Sequence, residues 1–78
     1  MTKKEFLVLF EEIVEEPPGT LTGSEKLREQ LVGWNSLAVI SFLALVDEHF
    51  GITLSPRAIA ECKTVNDLIG LLNGKVTD

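Results

Sequence analysis

From Thr2 to Glu16 the apolar residues Phe6, Leu9, Phe10 and Ile13 recur at helical spacing, with Leu7 and Val14 beside them and acids filling much of the rest. This pattern predicts an amphipathic first helix. Pro17, Pro18 and Gly19 end it, because proline lacks the amide a helix needs and moves its predecessor out of the helical region. A long connection follows, from Gly19 to Asn35. Its Leu21, Leu27 and Leu31 are spaced too widely for a strand and are expected to anchor it to the core, with a helical turn over Ser24 to Gln30.

Asn35 then precedes the most apolar part of the chain, and its short side chain suits the cap of a second helix running to Phe50. That helix is expected to be central and largely buried, with Val39, Phe42, Leu43, Val46 and Phe50 inside. Gly51 is placed to close it in the left-handed conformation. Ser55 followed by Pro56 is a cap and a first-turn proline, which opens a short third helix to about Cys62. Thr64 and Asp67 form a capping-box pattern before Leu68, Ile69, Leu71 and Leu72, with Gly74 beyond the end of this last helix. The tail from Lys75 to Asp78 is expected to fray.

No segment alternates at a period of two, and no internal repeat is visible. The expected fold is all-α: a small four-helix bundle, three main helices plus a short third one, with a long loop between helices 1 and 2. With 78 residues, one domain over 1–78 is expected.

Charge narrows the function classes. Seven Lys and Arg against twelve Asp and Glu give a formal charge of −5, which repels a phosphate backbone and favours a basic protein surface as partner. No nucleic-acid partner is expected. The longest apolar run, Leu37 to Val46, is too short to span a bilayer, so no membrane insertion is expected. The single Cys62 forms no internal disulfide, and no apolar run of secretory type opens the chain, which points to the cytoplasm.

One His and one Cys do not make a zinc site, and the carboxylates lie spread over helix surfaces, so no metal and no catalytic residues are assigned. His49 is read as a residue near the negative end of the second helix, Cys62 as a small hydrophobe, and the run Glu11, Glu12, Glu15 and Glu16 as the solvated face of the first helix.

The stretch Gly33-Trp34-Asn35-Ser36-Leu37 puts a serine hydroxyl where a loop enters an apolar helix. A serine there is ordinarily just a cap. A phosphodiester on Ser36 would, however, sit at the positive end of the helix, where free amides favour anions.

Trp34-Asn35-Ser36-Leu37 closely resembles the Asp-Ser-Leu attachment motif of the acyl carrier protein family. Phe50-Gly51-Ile52-Thr53-Leu54 resembles the link after that family's second helix, and Thr64-Val65-Asn66-Asp67-Leu68-Ile69 the start of its last helix. With the loop leucines, the match spans nearly the whole chain.

The resemblance implies a carrier that is not an enzyme. A phosphopantetheinyl transferase would attach 4′-phosphopantetheine from coenzyme A to Ser36, with Asn35 and Leu37 flanking the site. Acyl-activating and acyl-transferring enzymes of a fatty-acid, polyketide or specialised lipid pathway would then dock around helix two on Trp34, Leu37, Ile40, Ser41, Ala44, Asp47 and Glu48. The carrier is expected to act as a monomer. An aminoacyl or peptidyl carrier shares this bundle and motif. A carrier-like interaction module that never receives the arm is the reading from a different class.

Two features depart from the family pattern. Asn35 replaces an aspartate that helps the modifying enzyme engage. Along helix two, Ala38 and Ser41 stand beside Leu37, Ile40 and Ala44 where acids are common, so the docking face is expected to be more apolar than usual. Trp34 either plugs the core, the preferred reading, or exposes its ring to a partner.

Overall fold

The computed structural model describes residues 1–77. It contains five helices: α1 (Lys3–Val14), α2 (Leu27–Gln30), α3 (Ser36–Phe50), α4 (Pro56–Ala60) and α5 (Val65–Gly70). Among the described residues there is no strand, only isolated bridges between Thr2 and Thr77 and between Lys26 and Thr64. The fold is a small all-α unit, with two long helices and three short ones.

Side-chain caps set the helix starts. Thr2 and Glu5 form a full capping box on α1, Ser55 accepts the Ala58 amide at 3.1 Å at the start of α4, and Thr64 with Asp67 repeats the box on α5. The ends depart further from expectation. α1 stops at Val14 rather than Glu16, because Glu15 already takes the left-handed conformation (φ 59°). α4 stops at Ala60 rather than Cys62. α5 stops at Gly70, and irregular turns carry the chain on to Gly74, where Asn73 and Gly74 both have positive φ. The helical turn expected over Ser24 to Gln30 is α2.

α1 and α3 supply the centre of the core. Phe6, Phe10 and Val14 from α1 meet Phe42 and Val46 from α3, all at most 1% exposed, and the Phe42 ring stands edge-on to both Phe6 and Phe10 at 6.1 and 5.8 Å between centroids. Such edge-to-face pairs add about 0.5–1.5 kcal/mol to the area buried. Leu21, Leu27 and Leu31 are all buried, so the long loop is fastened to the core by the three leucines the spacing singled out.

Polar ties fasten that loop as well. Leu27 donates to Lys63 O at 2.8 Å, while Val65 and Asn66 donate back to Glu25 O and Gly23 O, so the loop is laced to the entry of α5. Glu11 does not lie on a solvated face as expected. It is 1% exposed, and its carboxylate accepts the amides of Gly19 at 3.0 Å and Leu21 at 2.9 Å.

The expectation of a frayed tail is corrected for Lys75 to Thr77. Lys3 donates to Thr77 O at 2.6 Å and Thr77 donates to Met1 O at 2.9 Å, so the two ends of the chain are paired. Asp78 lies outside the described residues.

α3 buries one stripe, Ala38, Phe42 and Val46, at the i, i+4 spacing that keeps side chains on one face. The expectation of a largely buried helix is therefore corrected. Val39, Leu43 and Phe50 are only half-buried, and Leu37 and Ile40 are 71% and 61% exposed. Ala38, expected on the docking side, belongs to the core instead.

Candidate functional site

The site is the junction where the loop enters α3. Asn35 is extended (φ −132°, ψ −175°), and its Oδ1 accepts the Ala38 amide at 2.9 Å, while its carbonyl accepts the Val39 amide at 3.0 Å. No protein acceptor meets the Ser36 and Leu37 amides among the described residues. An exposed serine hydroxyl thus stands beside two unpaired N–H groups at the positive end of a 15-residue helix.

Close packing fixes the approach to this junction. Gly33 passes against the end of α1, where a Cβ on residue 33 would fall 2.0 Å from Val14 O. Only glycine allows that approach. Trp34 follows, half-buried, with its ring centroid 5.6 Å from Phe10 and 6.1 Å from Phe42. It closes the loop over the bundle and does not stand free as an exposed ring. Asn35 and Ser36 are therefore delivered from a rigid support to a solvent-facing helix start.

Beside Ser36 lies an apolar cleft of about 340 Å3. Val39, Ile40 and Leu43 of α3 form one wall, Pro56, Ile59 and Ala60 of α4 the other, and Trp34 and Arg28 complete it. The same α3 residues that fall short of full burial in the core form this wall, which accounts for their intermediate exposure.

On the outer side of α3, Leu37, Ile40, Ser41, Ala44, Asp47 and Glu48 are all exposed. No charged residue occurs between Ser36 and Val46, and Asp47 and Glu48 begin the charge at the far end. Val32, four residues before Ser36, is 94% exposed. Neither Val32 nor Arg28 stood out in the sequence. Val32 is a lone apolar residue in a loop, and Arg28 reaches its partners, the carbonyls of Ala60 and Cys62, more than thirty residues away.

Other reactive side chains stand apart from the junction. Burial pushes the Cys62 thiol up, and Asp67 acts in the same direction, while its Sγ donates to Ala58 O at 3.4 Å. A thiol held protonated in this way is a poor nucleophile. Among the described residues no group of three or more His, Cys, Asp or Glu is placed to hold a metal, and no helix is long and apolar enough to cross a membrane.

Residues 4–72 match the protein-family model described as phosphopantetheine attachment site. No curated protein is a significant match to the chain. The exposed hydroxyl, the two free amides and the neighbouring cleft fit a phosphate-linked arm: an anion at the serine finds unpaired donors, and no side chain has to move to admit it.

Proposed function

The chain belongs to the family of phosphopantetheine attachment-site domains and is a carrier of 4′-phosphopantetheine, and from this premise we propose that Ser36 is the residue that holds the arm. The observation that carries this reading is the exposed Ser36 hydroxyl at the start of α3, next to two unpaired amides. Loading would join the Ser36 oxygen to the phosphorus nearer the pantetheine arm, break the P–O–P link of coenzyme A with departure of the adenosine bisphosphate, and pass the hydroxyl proton to a base of the transferase. Bound, the group supplies a thiol on a long flexible tether, able to hold an acyl cargo as a thioester.

The chain's own residues hold and present the arm and catalyse nothing. Asn35 caps α3 and keeps the Ser36 and Leu37 amides facing outward. Gly33 and Trp34 lock the loop, so the hydroxyl keeps its position when a partner docks. The transferase and the acyl-activating and acyl-transferring enzymes engage Leu37, Ile40, Ser41 and Ala44 mainly through apolar contact, while Asp47 and Glu48 steer a basic surface towards the end of α3. A fatty-acid, polyketide or related lipid pathway fits this apolar face best.

Intact mass after incubation with coenzyme A, magnesium and a broad-specificity phosphopantetheinyl transferase tests the assignment, with Ser36→Ala as control. A phosphopantetheine-sized gain that the control lacks is the expected result. No gain, with an ordinary carrier modified in parallel and with Asn35→Asp equally unmodified, sinks it in favour of an interaction module that keeps the bundle without the arm; a gain in Asn35→Asp alone points to a dedicated transferase that recognises Asn35.

A further inference from the structure

The cleft beside Ser36 has a single charged wall, Arg28. Its guanidinium is held by the turn that leaves α4, where Nη1 donates to Cys62 O at 2.9 Å and Nη2 to Ala60 O at 2.7 Å. A guanidinium has five N–H donors in a planar fork, so three remain unused. The two carbonyls orient the cation and leave its charge uncancelled. No carboxylate lies within ion-pair distance of Arg28 among the described residues; the nearby Glu29 pairs with Lys26 at 3.5 Å instead. Lys26, Glu29 and Lys63 line the neighbouring hollow that Arg28 also borders; Glu29 pairs with Lys26 and Asp67 acts on Lys63, so Arg28 is the cation there without a carboxylate partner among the described residues.

Apart from Ser36 every other lining side chain is apolar. A preoriented cation with free donors, at the side of an apolar cleft that adjoins the attachment hydroxyl, is complementary to a ligand with a hydrocarbon body and an anionic oxygen group. The phosphodiester on Ser36 does not fill this role, because the Ser36 and Leu37 amides already serve it at the start of α3. The volume, on the order of ten waters at about 30 Å3 each, also exceeds what a phosphate occupies. A planar carboxylate suits the three N–H donors that remain on the guanidinium.

We propose that Arg28 determines cargo specificity: the cleft takes an acyl group whose chain lies on Val39, Leu43 and Ile59 and whose own carboxylate is set against Arg28. The inference rests on the reading of Ser36 as the attachment residue. Neutral acyl groups of equal length enter the same cleft and gain nothing from Arg28.

The test loads the protein through the transferase with the coenzyme A thioester of hexanoate or with the half-thioester of adipate, carrying a 13C-labelled free carboxylate. In the wild type the carboxylate titrates about 0.3 to 0.7 pH unit lower than in the same half-thioester on free pantetheine, the twofold to fivefold effect of a partly exposed ion pair. The adipate thioester also outlasts the hexanoate one towards hydroxylamine by a similar factor. Both differences vanish in Arg28→Gln and survive in part in Arg28→Lys. Melting of the unloaded variants measures the separate loss of the tie to α4.

If Arg28→Gln does not fold, the wild-type titration against free pantetheine decides alone, and an unshifted midpoint overturns the proposal. Equal protection of both cargoes also overturns it. Failure of the mass gain at Ser36 removes this inference and the attachment assignment together, whereas a normal mass gain with an unshifted carboxylate removes only the role of Arg28.

Discussion

The carboxylate of Glu11 accepts the backbone amide of Leu21 at 2.9 Å across ten residues of chain, and it does so at a position only 1% exposed. Its other oxygen accepts the Gly19 amide at 3.0 Å. One acidic side chain of α1 therefore satisfies two loop amides that secondary structure leaves unpaired, just before Leu21 enters the core.

Glu11→Gln removes one of the two acceptors and turns a donor towards an amide donor. The expected loss is about 1–3 kcal/mol, the cost of leaving a buried polar group unsatisfied. Urea unfolding followed by Trp34 fluorescence measures it, and Glu12→Gln, at an exposed neighbour, serves as the comparison with no significant loss.

Gly33→Ala places a methyl group 2.0 Å from Val14 O, a backbone atom that cannot swing aside. The loop has to lift off α1, at about 1–3 kcal/mol or more. Because Trp34 packs on Phe10 and Phe42 from the next position, its emission shifts red in the native state. An unchanged spectrum with unchanged stability would show that the junction is not held by this contact.

These two residues also mark where the sequence could be read and where it could not. Asn35, Ser55 and Thr64 announce their helices because a cap acts on amides two or three residues away. Leu21, Leu27 and Leu31 announce the anchored loop because apolar residues in a polar stretch need a core to bury in. Glu11 gives no such signal: beside Glu12, Glu15 and Glu16 it looks like one more solvated acid, and its partners lie eight and ten residues on. Arg28 is silent for the same reason at longer range. The run from Leu37 to Val46 is legible at its extremes, with Phe42 and Val46 inside and Leu37 and Ile40 on the docking face, but a helix apolar nearly all round gives no periodicity to show that Val39 and Leu43 are only half-buried and Ala38 is buried.

That division of α3 separates stability from docking. Phe42→Ala empties the aromatic centre and costs about 3–5 kcal/mol. Leu37→Asp, at a position 71% exposed, changes stability by no more than about 0.5 kcal/mol. It introduces a charge into the apolar surface beside Ser36, so the rate of loading by the transferase falls while the melting temperature holds. A Leu37→Asp protein loaded at the normal rate would remove Leu37 from the contact surface.

Stability should also weaken in acid through Asp67. Its Oδ2 accepts the amides of Lys63 at 2.9 Å and Thr64 at 3.1 Å, and these bonds hold the carboxyl below its ordinary value of 3.8. A depressed folded value means the unfolded chain binds the proton more readily. The contribution is therefore complete above about 3.8 and is lost as pH falls through the folded value. Asp67→Asn lowers the melting temperature at neutral pH and flattens its fall in acid. Parallel acid limbs for the two proteins would contradict this.

Asn35 carries the last prediction, because its side chain has two separable tasks. Its Oδ1 caps α3 through the Ala38 amide at 2.9 Å, and it occupies the place where carriers of this family have an aspartate for the modifying enzyme. Asn35→Asp keeps the cap and adds a negative charge at the positive end of the helix, for a gain of about 0.3–1 kcal/mol at low salt. It also restores a charge-assisted contact, roughly twice as strong as a neutral one, for a basic residue of the transferase. Both melting temperature and loading rate should rise, and the gain in rate should shrink as salt screens the new charge. Asn35→Ala loses the cap, about 1 kcal/mol, with no gain in rate. If Asn35→Asp gains stability but loads no faster, the transferase reads the apolar surface of Leu37 and Ile40 rather than charge at the junction, and the uncharged face from Ser36 to Val46 is itself the recognition signal.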